Sequence, residues 1–127
     1  MVAFRSLLVV MIAALLVYTG IVGTHHGWNL LPIFFGDMAA MTWPGQFNLD
    51  FTCLLAFSGL WLAWRHHFSV GGLALGLLGF VGGTLVLAPY LLIASFKANG
   101  NVTELLLGKA RASSQAARTN VNQSATL

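Results

Sequence analysis

Residues 6–23 pass without a charged side chain, between Arg5 on one flank and His25 and His26 on the other. Wound into a helix, such a run offers no face to water and has to be covered by protein or by lipid. The rest of the chain argues for lipid, because its 127 residues are 57% hydrophobic and 7% charged, whereas an ordinary soluble domain carries about 25% charged residues. A secretory signal also opens with a cation and an apolar core. Here the core is long and no Ala-x-Ala-like site follows it, so the segment reads as a first membrane span.

Two further spans follow. The second covers residues 47–64 and stops at Arg65-His66-His67; the third covers residues 70–96 and stops at Lys97. The third is longer than the roughly 20 residues that a crossing needs, so it must tilt, kink or protrude, and Pro89 is the expected kink. Between the first two spans, residues 24–46 mix the breakers Pro32, Gly36, Pro44 and Gly45 with Trp28 and Trp43, aromatics of headgroup level. The apolar middle of this loop is too short to cross and is expected to lie in the interface or dip partway into the bilayer. From Ala98 the composition turns to Ala, Ser, Thr, Asn and Gln with scattered cations, which predicts a polar tail, mostly disordered, with a short helix across residues 102–107.

The expected fold is therefore an all-α membrane protein, a three-transmembrane-helix antiparallel bundle. It has a membrane domain over residues 1–97, with helices at about 6–23, 47–64 and 70–96, and a disordered polar tail over residues 98–127. Three crossings place the termini on opposite sides. Arg5 and Arg65 then share one face, Lys97, Lys109 and Arg111 the other, a positive-inside count of two against three, and the expectation leans slightly to an N-terminus inside. The weight of the first helix favours an N-terminus inside, the tail the reverse. The expected location is the bacterial inner membrane.

This threading gathers His25, His26, Asp37, Asn48, Asp50, Tyr90 and Lys97 at one face and leaves His66 and His67 at the other. The two histidine pairs would stand about 30 Å apart and could not share a metal ion, and either pair alone supplies too few ligands. No metal site and no cofactor are expected; polar flanks at the interface account for the histidines. Asp50 is the acid placed within a span. With Asn48 as an N-cap it sits in the first helical turn, where the dipole favours a carboxylate; proton or ion handling and contact with a partner are the other readings. A polar site would combine Asp50, Tyr90 and Lys97 with His25 or His26.

At 100° per residue, Gly72, Gly76, Gly79 and Gly83 form one stripe on the third span. The second span has a bulky face with Asp50, Cys53, Phe57, Trp61 and Trp64, and a small face with Thr52, Ala56, Gly59 and Ala63. The stripe is expected to pack beneath Phe57 and Trp61, bringing Asp50 towards Lys97 and Tyr90. A homodimer through the same glycines is the competing use.

No catalytic constellation can be read. Cys53 has no cation beside it in sequence, and phosphate-loop, Cys-x-x-Cys and zinc-protease patterns are absent from the sequence. The net charge of +3 comes from few, dispersed cations, which excludes a nucleic-acid patch and makes lipid headgroups the anionic neighbour.

Leu49-Asp50-Phe51, then Trp61, Ala63 and Arg65, and later Gly83, Tyr90, Phe96 and Lys97, resemble a family of small three-helix membrane proteins known as a domain of unknown function. The resemblance covers the second and third spans. It implies an aspartate opening the second and an aromatic and a lysine closing the third, and it brings no activity. Pro89, His66-His67 and the longer tail depart from its pattern. Taken together, the sequence predicts a non-enzymatic accessory or interaction protein that acts through helix packing, its partners being the bilayer and either a second copy or a larger membrane protein. The alternative is a small proton-coupled carrier or channel with a polar site around Asp50.

Overall fold

The computed structural model describes residues 1–125 and is all-helical over them. The helices are α1 (Val2–His26), α2 (Leu31–Ala39), α3 (Trp43–Arg65), α4 (Val70–Gly82), α5 (Thr84–Lys97), α6 (Val102–Leu107) and α7 (Lys109–Ala125). Among the described residues α1 and α3 alone are both long and apolar enough to cross a membrane, while α4 and α5 are shorter apolar helices. The three-helix bundle expected from the sequence is thus incorrect, and the resemblance to a three-helix family fails with it. The tail is also not disordered where it is described, since α6 and α7 occupy it; Thr126 and Leu127 lie outside the described residues.

The expected third span breaks at Gly83 and not at Pro89. Gly83 has φ 53° and ψ −137°, a conformation open to glycine because a Cβ would collide with the neighbouring carbonyls. Pro89 is carried inside α5 near its start. The N–H it lacks would have served only a first-turn carbonyl.

The break reverses the chain. Gly72 lies against His66, Gly76 against Gly59 and Ala63, Gly79 against Leu62, and Gly83 against Leu55 and Phe51, so α4 runs back along α3 from its C-terminal end. Seven residues after the reversal, Tyr90 is again beside Trp61, Arg65 and His66. α4 and α5, with 13 and 14 residues, are each about 20 Å long and form a hairpin whose tip stops within the length of α3.

The glycine stripe is a packing face, but it meets the small face of α3. Gly59, Ala63 and Leu62 receive Gly76 and Gly79, while Phe57 is 69% exposed and Trp61 instead packs edge-on to Tyr90 with ring centroids 6.2 Å apart. Close approach of two backbones needs small residues on both sides, which the bulky face of α3 does not supply. Gly83 belongs to the turn and not to the stripe.

α1 lies antiparallel to α5: Met1 adjoins Gly100 and Arg5 bonds Ser95. Phe4 and Leu91 cover the buried cluster of Ala94, Ala98 and Leu105. α2 folds back on the start of α3, where Gly45 sits directly on the backbone of Asp37 and Met38 and the Asn48 amide donates to the Phe34 carbonyl at 3.2 Å. The most apolar stretches of α1 and α3 are only 11% and 17% buried. A helix in the core of a soluble protein would be mostly covered, so these faces are left to an apolar surrounding.

Candidate functional site

With the chain reversed at Gly83, the start of α1, the ends of α3 and α5, and the α6–α7 corner all come together at one end of the molecule. Arg5, Arg65, Lys97, Lys109 and Arg111 lie there, and Arg118 is two turns further along α7. The opposite end carries His25, His26 and Asp37, with Asp50 nearer to it, and accounts for none of the six Lys and Arg in the chain. The two-against-three division of cations between opposite faces expected from three spans is therefore incorrect, because it depended on termini on opposite sides.

Three arginines organise the cationic end. The last carbonyls of a helix have no partner within it and carry the negative pole of its dipole, so a guanidinium is favoured there. Arg5 donates to the Ser95 carbonyl at 2.7 Å and to the Ser95 hydroxyl at 3.0 Å, closing α5. Arg111 donates to the Trp64 carbonyl at 2.7 Å, closing α3. Arg65 donates to the carbonyls of Leu105 at 2.9 Å and Glu104 at 3.2 Å, closing α6. Each also stands over an aromatic ring: Phe96 at 4.0 Å, Trp64 at 3.9 Å and Tyr90 at 5.5 Å, respectively.

Arg65 is the centre of a short relay. Its third donor bonds the Tyr90 hydroxyl oxygen at 2.6 Å, and that hydroxyl is 2.8 Å from His66 Nε2. Since the tyrosine oxygen accepts from arginine, its proton is free to go to a neutral imidazole. The electrostatics agree: burial first, then Arg65 and His67, lower the His66 pKa from its ordinary value, because each disfavours an imidazolium. Beside this relay lies an open cleft of about 710 Å³, bounded by the end of α3 at Arg65, His66 and His67, by Tyr90, Ile93 and Lys97 of α5, and by Glu104 and Lys109 of the α6–α7 corner.

The polar site expected from the sequence is dispersed. Tyr90 and Lys97 lie in or beside this cleft, His25 and His26 lie at the far end of α1, and Asp50 lies in the half of α3 remote from it. Asn48 is not an N-cap. α3 begins earlier, with Thr42 as N-cap and a proline in its first turn, so Asn48 falls inside the helix and its amide also reaches the Asp37 carboxylate at 3.4 Å. Asp50 is thereby left exposed in the interior of α3, without the capping role. Cys53 is exposed.

Sequence reasoning missed Arg65 and His66 as members of the site, having treated both as a polar stop. The Gly82-Gly83 pair was the signal for a reversal that would have brought Tyr90 back to them. Among the described residues no group of three or more His, Cys, Asp or Glu side chains is placed to hold a metal ion. No family of known proteins, no curated protein and no solved structure matches the chain.

Proposed function

We propose that this chain is a non-enzymatic interaction protein of a cell membrane, which pairs through the outward face of α3 with a helix of another membrane chain. Asp50 carries the reading. It is exposed, has no hydrogen-bond or ion-pair partner among the described residues, and stands about 10 Å beyond the start of α3. Its surroundings are Phe47, Leu54 and Phe57, all more than half exposed. A carboxylate facing hydrocarbon costs up to about 2.5–3.5 kcal/mol at the bilayer centre and less towards the interface. A second helix offering a donor would relieve that cost. The carrier reading is less well supported, because Asp50 would have to share a site with Tyr90 and Lys97, which belong to the other half of the molecule.

Co-purification in mild detergent tests this. The wild-type chain is expected to arrive as a stoichiometric complex with a larger membrane protein or as a homo-oligomer. Asp50→Leu should release it as a folded monomer with undiminished helix content. A wild-type chain that is monomeric and alone, or an Asp50→Leu chain that keeps its partner, would count against the proposal.

The collected cations support one orientation. With Lys and Arg at one end, the positive-inside rule favours a cytoplasmic location for that end, which carries Met1 and the α6–α7 corner. In a Cys53→Ser background, a membrane-impermeant maleimide should label Asn29→Cys on intact spheroplasts and Ser114→Cys only after permeabilisation. The opposite pattern would invert the topology.

A further inference from the structure

The cleft beside Arg65 has the composition of a headgroup site. Three fixed cations line it, Arg65, Lys97 and Lys109, against one carboxylate, Glu104. Arg65 is engaged with carbonyls and with Tyr90, so it contributes charge at the wall more than free donors. Lys97 and Lys109 are different: both are exposed, and neither ammonium has a hydrogen-bond or ion-pair partner among the described residues. Two unpaired ammoniums opening on one concavity, with a third cation behind them, favour a ligand of at least one full negative charge.

The remaining wall is apolar. Ile93, 57% exposed, lies one turn from Lys97 on the side of the hairpin tip, and the buried Ala94 and Ala98 also border the cleft. A freely soluble anion has no use for that wall, whereas an acyl chain descending beside α5 does. The depth also fits. Trp64, Tyr90 and Phe96 lie at the same level as the cations, and aromatic rings with arginine and lysine are the usual occupants of the headgroup region. Basic clefts between helices at the cytoplasmic side are suited to phosphate-bearing lipid headgroups for these reasons.

We propose that this cleft binds the phosphate headgroup of an anionic membrane lipid, with Lys97 and Lys109 as the headgroup ligands and Ile93 alongside the first segment of an acyl chain. The site requires that the chain be inserted in a membrane, but it is independent of which helix covers Asp50. The glutamate at the rim sets a preference: Glu104 repels a second anionic group on its side and accepts hydrogen bonds from hydroxyls, so a phosphodiester carrying a polyol headgroup suits the cleft better than a bare phosphomonoester.

Native mass spectrometry of the full chain in mild detergent, titrated with phosphatidylglycerol or with phosphatidylcholine, reads the site directly. Phosphatidylglycerol is expected to remain bound at least tenfold more than phosphatidylcholine. Lys97→Gln together with Lys109→Gln should remove that preference, while Arg118→Gln, which removes one cation outside the cleft, should leave it intact. Equal retention of the two lipids by the wild type would overturn the proposal, as would a preference unchanged in the double variant. A third arm adds millimolar inorganic phosphate: complete displacement of lipid by phosphate at that level would make the ligand a free anion and overturn the lipid assignment. Flotation of each variant with phosphatidylcholine vesicles after alkaline extraction shows separately that it is membrane-inserted, so loss of lipid preference is not confused with loss of insertion.

Discussion

Gly76→Ala is expected to destabilise the helical bundle by about 1–3 kcal/mol, while Gly71→Ala, five positions earlier on the same helix, is expected to be neutral or stabilising by up to about 1 kcal/mol. Both substitutions improve helix propensity by the same amount, so their difference isolates packing. A Cβ at Gly76 would stand 2.7 Å from the Gly59 carbonyl oxygen and 3.2 Å from the Ala63 Cβ, whereas nothing lies within 4 Å of a Cβ at Gly71. The obstruction is backbone, which cannot rotate aside as a flexible side chain does. The helices must separate, and the neighbouring contact of Gly79 with Leu62 loosens with them. The clash is reciprocal, a Cβ at Gly59 standing 2.7 Å from the Gly76 carbonyl oxygen. Gly59→Ala with Gly76→Ala should therefore cost less than the sum of the two single changes, since the first has already opened the interface. Thermal unfolding in detergent measures all four variants. Equal melting of Gly76→Ala and Gly71→Ala would show that the α3–α4 contact does not hold the bundle.

The apolar spans were legible because an uncharged run of this length has few ways to be buried. α1 and α3 lie close to where hydropathy places them. α3 starts earlier than read because Pro44 was counted as a loop breaker, although proline is well tolerated in the first turn of a helix. What hydropathy cannot register is direction. A continuous apolar run from Val70 to Phe96 reads the same whether it crosses once or folds back, and the reversal at Gly83 depends on one backbone conformation with no hydropathy signature. The glycine spacing identified a packing face on α4, but spacing names one side of an interface only. Which face of α3 answers it is decided by the distance at which two backbones meet.

The candidate site was less legible than the fold, and for a connected reason. Tyr90 and Lys97 were singled out, but their assignment to one end followed the number of crossings, and that was wrong by one reversal. Every long-range pairing inferred from it moved with it: Asp50 lost Lys97 and Tyr90, and Arg65 and His66 gained Tyr90. The arginine contacts were beyond reach for another reason. A guanidinium closing the end of a helix far away in sequence, as Arg5 does for α5 across 90 positions, leaves no periodic trace.

Arg65 is the side chain whose loss should be felt furthest. It bonds Leu105, Glu104 and Tyr90 at once, and these three contacts join α3, α5 and α6. Arg65→Leu removes the arginine donor from the Leu105 carbonyl, from the tyrosine hydroxyl and from the Glu104 carbonyl, which keeps the Gly108 N–H, an expected loss of about 2–3 kcal/mol, since hydrogen bonds to a charged group in a half-buried setting are at the upper end of the usual range. The loss should be local before it is global. α6 has six residues, too few to persist as an isolated helix, and its remaining hold is Leu105 in the cluster with Ala94 and Ala98. Amide exchange across Val102–Leu107 should therefore accelerate about 30-fold or more, while the amides of α1 and the first half of α3 keep wild-type rates. Arg65→Lys should not restore protection, because one ammonium cannot span acceptors on two helices as a planar fork does. Wild-type exchange across α6 in Arg65→Leu would mean that the hydrophobic cluster alone holds this segment. Full recovery in Arg65→Lys would mean that charge at the α6 terminus matters and the fork does not.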